Sequence, residues 1–466
     1  MKLTSAIGAL ILASQNVWAL ARPSSALQQA SRRNDSMAPA KDPMLPLSPD
    51  SSFHFEILRA MAMATDQGGD IGEVLVAAQK IIPGNFESFY SVFYELAERV
   101  SAVAKTIDAT KYPVSARATL FRAATYYRSA DFYLHGNWSD PRINSLWAKQ
   151  TAAFDAAMAL LPIPGERITL QAVAGVSEKG QSNNNFSIPA IFYRSSWPGP
   201  RPTLIMCNGY DGSQEEMYHN IGQAALDRGI NVLTFEGPGQ PTVRRGQGLG
   251  FINEWERVVT PVVDYALSRP RDIAPPSLAL MGMSFGGYLV PRAAASEHRL
   301  AAVLALGGIW DFGASIFAML GPELNALSAS GNAAGVDTAI AKVLADPHLD
   351  TAMRWGTEQG MWAFKTPKPS EFLTKIRAYT LEGVVKNITA PVFVADAEND
   401  LFFPGQAPRL AEALGDKATY HMFKASEGAG EHCSTGASFL RNQVVLDWLE
   451  EVLSLSASNC TRSSTE

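Results

Sequence analysis

Gly282-Met283-Ser284-Phe285-Gly286-Gly287 sets a serine between glycines in G-x-S-x-G spacing. The apolar run 278–281 before it reads as a buried strand, and Tyr288-Leu289-Val290 after it opens a helix. A serine on so tight a strand-to-helix turn needs small neighbours. The turn lifts its hydroxyl into a crevice and aims the next amide, that of Phe285, at developing negative charge. A hydroxyl attacks a carbonyl only when a base removes its proton, and the sequence has seven histidines to choose from. The base belongs after the final strand, which leaves His421 and His432. His421 falls inside the strand run 419–423 and reads as structural. His432, in the loop Glu427-Gly428-Ala429-Gly430-Glu431-His432-Cys433, is the expected base.

The acid that orients the base should end the preceding strand. There the run 391–395 leads into Asp396-Ala397-Glu398-Asn399-Asp400-Leu401-Phe402-Phe403. Asp400 is the expected acid, Asp396 and Glu398 read as solvated or loop-capping, and Asp311 is a second choice. The second oxyanion donor falls to the loop Asn208-Gly209-Tyr210-Asp211-Gly212 after the first parallel strand, with Tyr210 expected and Asp211 as fallback. Cys433 reads as a packed neighbour of the base, because no second histidine is placed to serve it.

The elements that must hold these groups follow from hydrophobic period. Residues 86–104 and 116–134 repeat apolar positions three and four apart, which predicts an N-terminal helical region over 53–165, closed by Pro162 and Pro164. Beyond 167 the pattern turns to strands. The segments 167–174 and 187–193 read as an antiparallel pair. Short apolar runs then alternate with helices at 203–207, 231–235, 277–281, 301–306, 391–395 and 419–423. Such alternation predicts an α/β fold, a mostly parallel sheet with helices on both faces. The core is then 166–308 and 390–455, interrupted by a helical lid at 309–389, with a disordered tail at 456–466.

Ser284, Asp400 and His432 stand in the α/β-hydrolase chain order. The blocks Asn208–Tyr218, Leu233–Pro241, Trp255–Tyr265, Met283–Tyr288 and Gly430–Cys433 resemble one group within that fold. It is the group of the fungal yellowish-green pigment hydrolase and the bacterial 2,6-dihydroxypseudooxynicotine hydrolase, and the resemblance runs from about residue 53 to 453. It implies that the N-terminal helices and the insertion cap the core. It also implies cleavage of a carbon–carbon bond in a 1,3-dicarbonyl or aryl ketone, work in polyketide or other secondary metabolism, and a homodimer. An ester is equally open to such a triad. Two further readings stay open: a dipeptidyl-aminopeptidase-like or acyl-transferring serine enzyme, and a non-catalytic binding protein on the same fold.

The insertion carries Trp310, Phe312, Phe317, Met319, Trp355, Met361, Trp362 and Phe364, and the helices before the core add Tyr126 and Tyr127. Most should pack cap onto core. Tyr126, Trp310 and Trp362 are the expected contacts to a small apolar or aromatic substrate, and Glu236 borders the site or caps a loop. No metal-ligand cluster or nucleotide loop occurs in the sequence, so no cofactor is expected. With 39 Lys+Arg against 45 Asp+Glu and no basic block, nothing suggests a nucleic-acid partner.

Residues 1–21 have a short positive start, an apolar stretch and Ala19-Leu20-Ala21, the layout of a secretory signal peptide too short to span a bilayer. A Ser- and Pro-rich leader over 22–52 follows. Five N-x-S/T triplets, at Asn34, Asn137, Asn185, Asn387 and Asn459, agree with export and glycosylation. Only Cys207, Cys433 and Cys460 occur, so the fold does not rest on a disulfide framework.

Overall fold

Residues 44–172 and 185–463 are described by a computed structural model. The expected signal peptide, most of the leader and Asn34 lie outside them. The N-terminal helices are α1 (Ser51–Ala62), α2 (Ile71–Ala78), α3 (Phe86–Thr106), α4 (Pro113–Asp131) and α5 (Pro141–Met158). Their starts are written locally. Asp50 Oδ1 accepts the Phe53 amide at 3.0 Å at the head of α1, and proline occupies the first turn of α4 and α5, where its missing N–H costs nothing.

Eight strands follow: β1 (Glu166–Gln171), β2 (Ser187–Tyr193), β3 (Arg201–Cys207), β4 (Asn231–Phe235), β5 (Ile273–Met283), β6 (Ala302–Leu306), β7 (Val392–Ala397) and β8 (Ala418–Phe423). They form one sheet in the order β1-β2-β4-β3-β5-β6-β7-β8. The pairs β1–β2 and β2–β4 are antiparallel and every later pair is parallel. Side chains alternate between two buried cores. Ile205, Leu233 and Leu280 face one, and their neighbours Leu204, Val232 and Ala279 face the other. That double burial is why the central strands read as unbroken apolar runs rather than alternating ones.

The crossovers carry α6 (Gln214–Met217), α7 (Gln223–Asp227), α8 (Pro241–Gly246), α9 (Glu256–Leu267) and α10 (Gly286–Ala294). Between β6 and β7 come four inserted helices: α11 (Phe312–Ala329), α12 (Ala333–Leu344), α13 (Thr351–Phe364) and α14 (Pro369–Ile376). α11 is broken at Gly321, whose φ of 76° precedes Pro322. Helix α15 (Gln406–Leu414) joins β7 to β8. The last helix, α16 (Ser438–Ser463), runs past residue 455, where the sequence suggests a disordered tail. Val445, Leu446, Leu449 and Leu453 anchor it in the second core, and an anchored helix extends by one hydrogen bond per added residue.

Candidate active site

β5 ends in the turn that holds Ser284, at φ 60°. A non-glycine residue there is in the left-handed region, at a cost on the order of 1–3 kcal/mol that the surrounding bonds must sustain. The Ser284 amide donates to Leu306 O at 2.8 Å and to Cys433 Sγ at 3.2 Å. Gly282 is obligatory for close packing, since a Cβ there would lie 2.1 Å from Gly286 O. α10 starts two residues after the serine, and the Gly287 and Tyr288 amides of its first turn bond back to the Ser284 and Phe285 carbonyls at 2.7 and 3.0 Å.

The structure brings Ser284, Asp400 and His432 together. His432 Nε2 lies 2.9 Å from Ser284 Oγ, and His432 Nδ1 lies 2.7 Å from Asp400 Oδ2. The other oxygen of Asp400 accepts the amides of Phe402 and Phe403 at 2.8 and 2.9 Å, so the carboxylate is aimed by its own loop. Burial works against the charge on Asp400, but the facing imidazole and these amides hold its carboxyl below the usual range. Burial likewise opposes the imidazolium of His432. The Asp400 carboxylate outweighs that and holds the ring well above its ordinary value. The rings of Phe55, Phe402 and Phe403 pack around His432 at centroid distances of 6.1, 5.0 and 5.6 Å.

The other acids are engaged elsewhere. Asp311 caps α11 through the Ala314 amide at 2.6 Å, and Glu398 accepts the Ala425 amide at 2.8 Å. Asp396 is buried rather than solvated, bonded to the Ala397 amide and the Tyr420 hydroxyl at 2.9 Å each. His421 stays in β8 between Phe393 and Phe423. Glu236 caps two helix starts, accepting the Gln214 and Thr242 amides at 2.8 and 2.6 Å, and does not reach the cavity. Cys433 packs beside His432, its Sγ 3.4 Å from His432 Nε2 and donating to Leu306 O at 3.3 Å. Cys207 and Cys433 are both free thiols.

Tyr210 lies on the loop after β3, across from the serine turn. A Cβ on the preceding residue, Gly209, would come within 2.6 Å of the Phe285 amide nitrogen. Among the described residues neither the Tyr210 nor the Phe285 amide has an acceptor, so both are free for a ligand.

Ser284 and His432 open into a cavity of about 230 Å³. Asn208, Tyr210, Asp211 and Cys433 line its sheet side. Phe312, Met319, Leu320, Leu324, Trp355 and Phe372 of the inserted helices line the opposite side. Phe55 and Arg59 of α1 close one end, where Arg59 Nη1 meets Asp211 Oδ1 at 3.0 Å and its Nε and Nη2 meet Glu216 at 2.5 and 2.7 Å.

The three expected substrate contacts do not line this cavity. Tyr126 is buried, donating to Glu73 and accepting the Asp70 amide at 2.9 Å each. Trp310 lies outside under Arg409, and Trp362 stacks on His135 at 4.0 Å. Each has a partner that uses its ring or its hydroxyl, which a count of aromatic residues does not register. Of the insertion's aromatics Phe312 and Trp355 do reach the cavity. Phe402 and Phe403 were findable, sitting two and three residues beyond Asp400 on the same loop. Phe55 and Arg59 carry no local signal, because α1 meets the site only through the tertiary fold.

No family model matches the chain. The α/β hydrolase psoB of Aspergillus fumigatus is 31% identical over 427 residues, covering 86% of this chain and 92% of that one. The hydrolase acrC of Aspergillus aculeatus is 29% identical over 437 residues, covering 88% and 98%. The 20-hydroxy-prefusarin hydrolase FUS2 of Gibberella moniliformis is 29% identical over 417 residues, covering 86% and 97%. Among solved structures, 2,6-dihydroxy-pseudo-oxynicotine hydrolase superposes with a TM-score of 0.63 at 22% identity, over 85% of this chain and 95% of that one. AbyA5 follows at 0.55 and 17%, over 82% and 94%. With its eight-stranded, mostly parallel sheet, the chain belongs to the α/β-hydrolase family of these fungal enzymes and is a hydrolase.

Proposed function

We propose a serine hydrolase that cleaves a carbon–carbon bond of a 1,3-dicarbonyl or aryl ketone, or an ester, in a polyketide-type secondary metabolite. The observation that carries this reading is the hydrogen-bonded chain Ser284–His432–Asp400 at the floor of a largely apolar cavity. His432 takes the Ser284 proton as Oγ attacks the substrate carbonyl. The oxyanion forms against the amides of Tyr210 and Phe285. His432 then passes the proton to the leaving group, which departs as an alcohol from an ester or as a ketone from a dicarbonyl. In the dicarbonyl case the adjacent carbonyl takes the carbanion charge as an enolate before protonation. Water, deprotonated by the same histidine, releases the acid from Ser284. The names of the relatives support a small-molecule substrate, and the aromatic and aliphatic cavity walls suit a flat, apolar one.

The deciding experiment sets wild type against Ser284→Ala on an aryl ester and an aromatic 1,3-diketone, with products read by mass spectrometry. Diketone cleavage lost in the variant supports carbon–carbon hydrolysis, and ester cleavage alone narrows the reaction to esters. Wild-type protein that neither turns over nor labels at Ser284 with a fluorophosphonate overturns the mechanism.

Export through the secretory pathway belongs to the same proposal. It is supported by the sequence pattern of residues 1–21 and by the exposure of Asn137, Asn185 and Asn387. A mass shift on glycosidase treatment of protein from a eukaryotic host tests it; unmodified protein retained in the cells refutes it.

A further inference from the structure

The loop expected to supply the second oxyanion donor is gripped from the insertion. Tyr210 Oη donates to Gly356 O at 3.0 Å, and Gln359 Nε2 donates to the Tyr210 carbonyl at 2.9 Å. Gly356 and Gln359 are three residues apart on α13 and so share a face. The next residue, Gly360, leaves room for the phenol, because a Cβ there would lie 2.2 Å from Tyr210 Oη. With side chain and carbonyl both tied, the Cα, Cβ and carbonyl of Tyr210 are held against α13. Its N–H shares a peptide plane with the Gly209 carbonyl, which accepts Gln240 Nε2 at 3.4 Å, so that plane is restrained from the other side as well.

Gln359 is buried and is itself aimed. Its Oε1 lies 2.6 Å from His135 Nδ1, and His135 Nε2 lies 3.1 Å from Arg245 Nη2. Gln359 gives its amide N–H to Tyr210 and its Oε1 can only accept, so His135 Nδ1 carries the proton between them, an assignment made by the network. The donors along His135 Nδ1, Gln359 and the Tyr210 carbonyl then point the same way, and such chains polarise cooperatively. Asp131 holds the Arg245 end, and its Oδ2 is 3.3 Å from His135 Nε2. The His135 ring lies flat on Trp362, 10° from parallel, which sets its plane.

We propose that Gln359, aimed by His135, is a positioning residue for the oxyanion donor of Tyr210, a role that rests on the Ser284 mechanism above. The test compares wild type, Gln359→Leu and Gln359→Glu on an aryl ester, with active sites counted by the endpoint of fluorophosphonate labelling. Both variants keep the size of the side chain and lose the donor, so one stands in if the other fails to fold. Removing an oxyanion donor costs about 100- to 1,000-fold in kcat, and misaiming one should cost less, about 10- to 100-fold. The expected result is that loss in kcat per labelled site, with KM within about twofold of wild type, as for an interaction made in the transition state. His135→Phe, which keeps the stack on Trp362, should show a smaller loss of the same kind. Unchanged kcat per labelled site, or a loss confined to the labelled fraction, overturns the positioning role while leaving the mechanism standing. A wild type that does not label overturns the mechanism and the role together.

Discussion

On the sheet side of the cavity, Ser284, Cys433 and Ser434 all hold left-handed backbone angles, at φ 60°, 56° and 54°. The groups proposed to react there are joined by directional bonds of 2.7 and 2.9 Å. On the insertion side the lining is Phe312, Met319, Leu320 and Leu324, from a helix broken at Gly321, and these meet the cavity through contacts with no preferred direction. The first surface fixes atoms along lines, and proton transfer and oxyanion stabilisation both require that. The second fixes only a shape. Changes to the sheet side should therefore appear in kcat, and changes to the insertion side in KM and substrate choice. The Tyr210–α13 junction is where the two sides are bonded together.

The largest test of that division is Asp400→Asn, which keeps the shape of the acid and removes its charge. It should lower kcat about 10,000-fold with KM little changed, read by steady-state kinetics on an aryl ester. Next is pH. In the proposed mechanism His432 must be neutral to accept the serine proton, and the Asp400 carboxylate raises its value above the ordinary 6.5. kcat/KM should thus fall about tenfold per pH unit below an apparent pKa above 6.5, and Asp400→Asn should move that midpoint down. On the other side, Met319→Ala should raise KM for a bulky apolar substrate about five- to tenfold while leaving kcat within about twofold. A kcat loss there comparable to that of Asp400→Asn would erase the contrast. The smallest effect is on stability. Ser284→Gly relieves the positive φ and should stabilise the fold by about 1 kcal/mol, measured by denaturant unfolding.

The sheet side left the clearer marks in the sequence, since the expected Ser284, Asp400 and His432 do lie within hydrogen-bond distance of one another. A nucleophile turn must be small, follow a strand and precede a helix, and each requirement leaves a residue type at a fixed offset. The expected places of His432 and Asp400 follow from strand order. The insertion side leaves no such record. Phe312 and Trp362 look alike in sequence, yet one lines the cavity and the other lies flat on His135. Helical period tells which face is apolar but not whether a second protein surface or a ligand covers it. Tyr126 shows the same limit, since its partner Glu73 is 53 positions away on another helix.

The contact between Phe55 of α1 and the ring of His432 joins the first described helix to the loop after the last strand. A chain made from its amino end therefore carries its serine turn for a long interval with neither the base nor its aromatic wall in place. During that interval Ser284 is no better a nucleophile than any free serine. On the proposed mechanism, activity is thus acquired in one late event, when α1 and the loop after β8 meet.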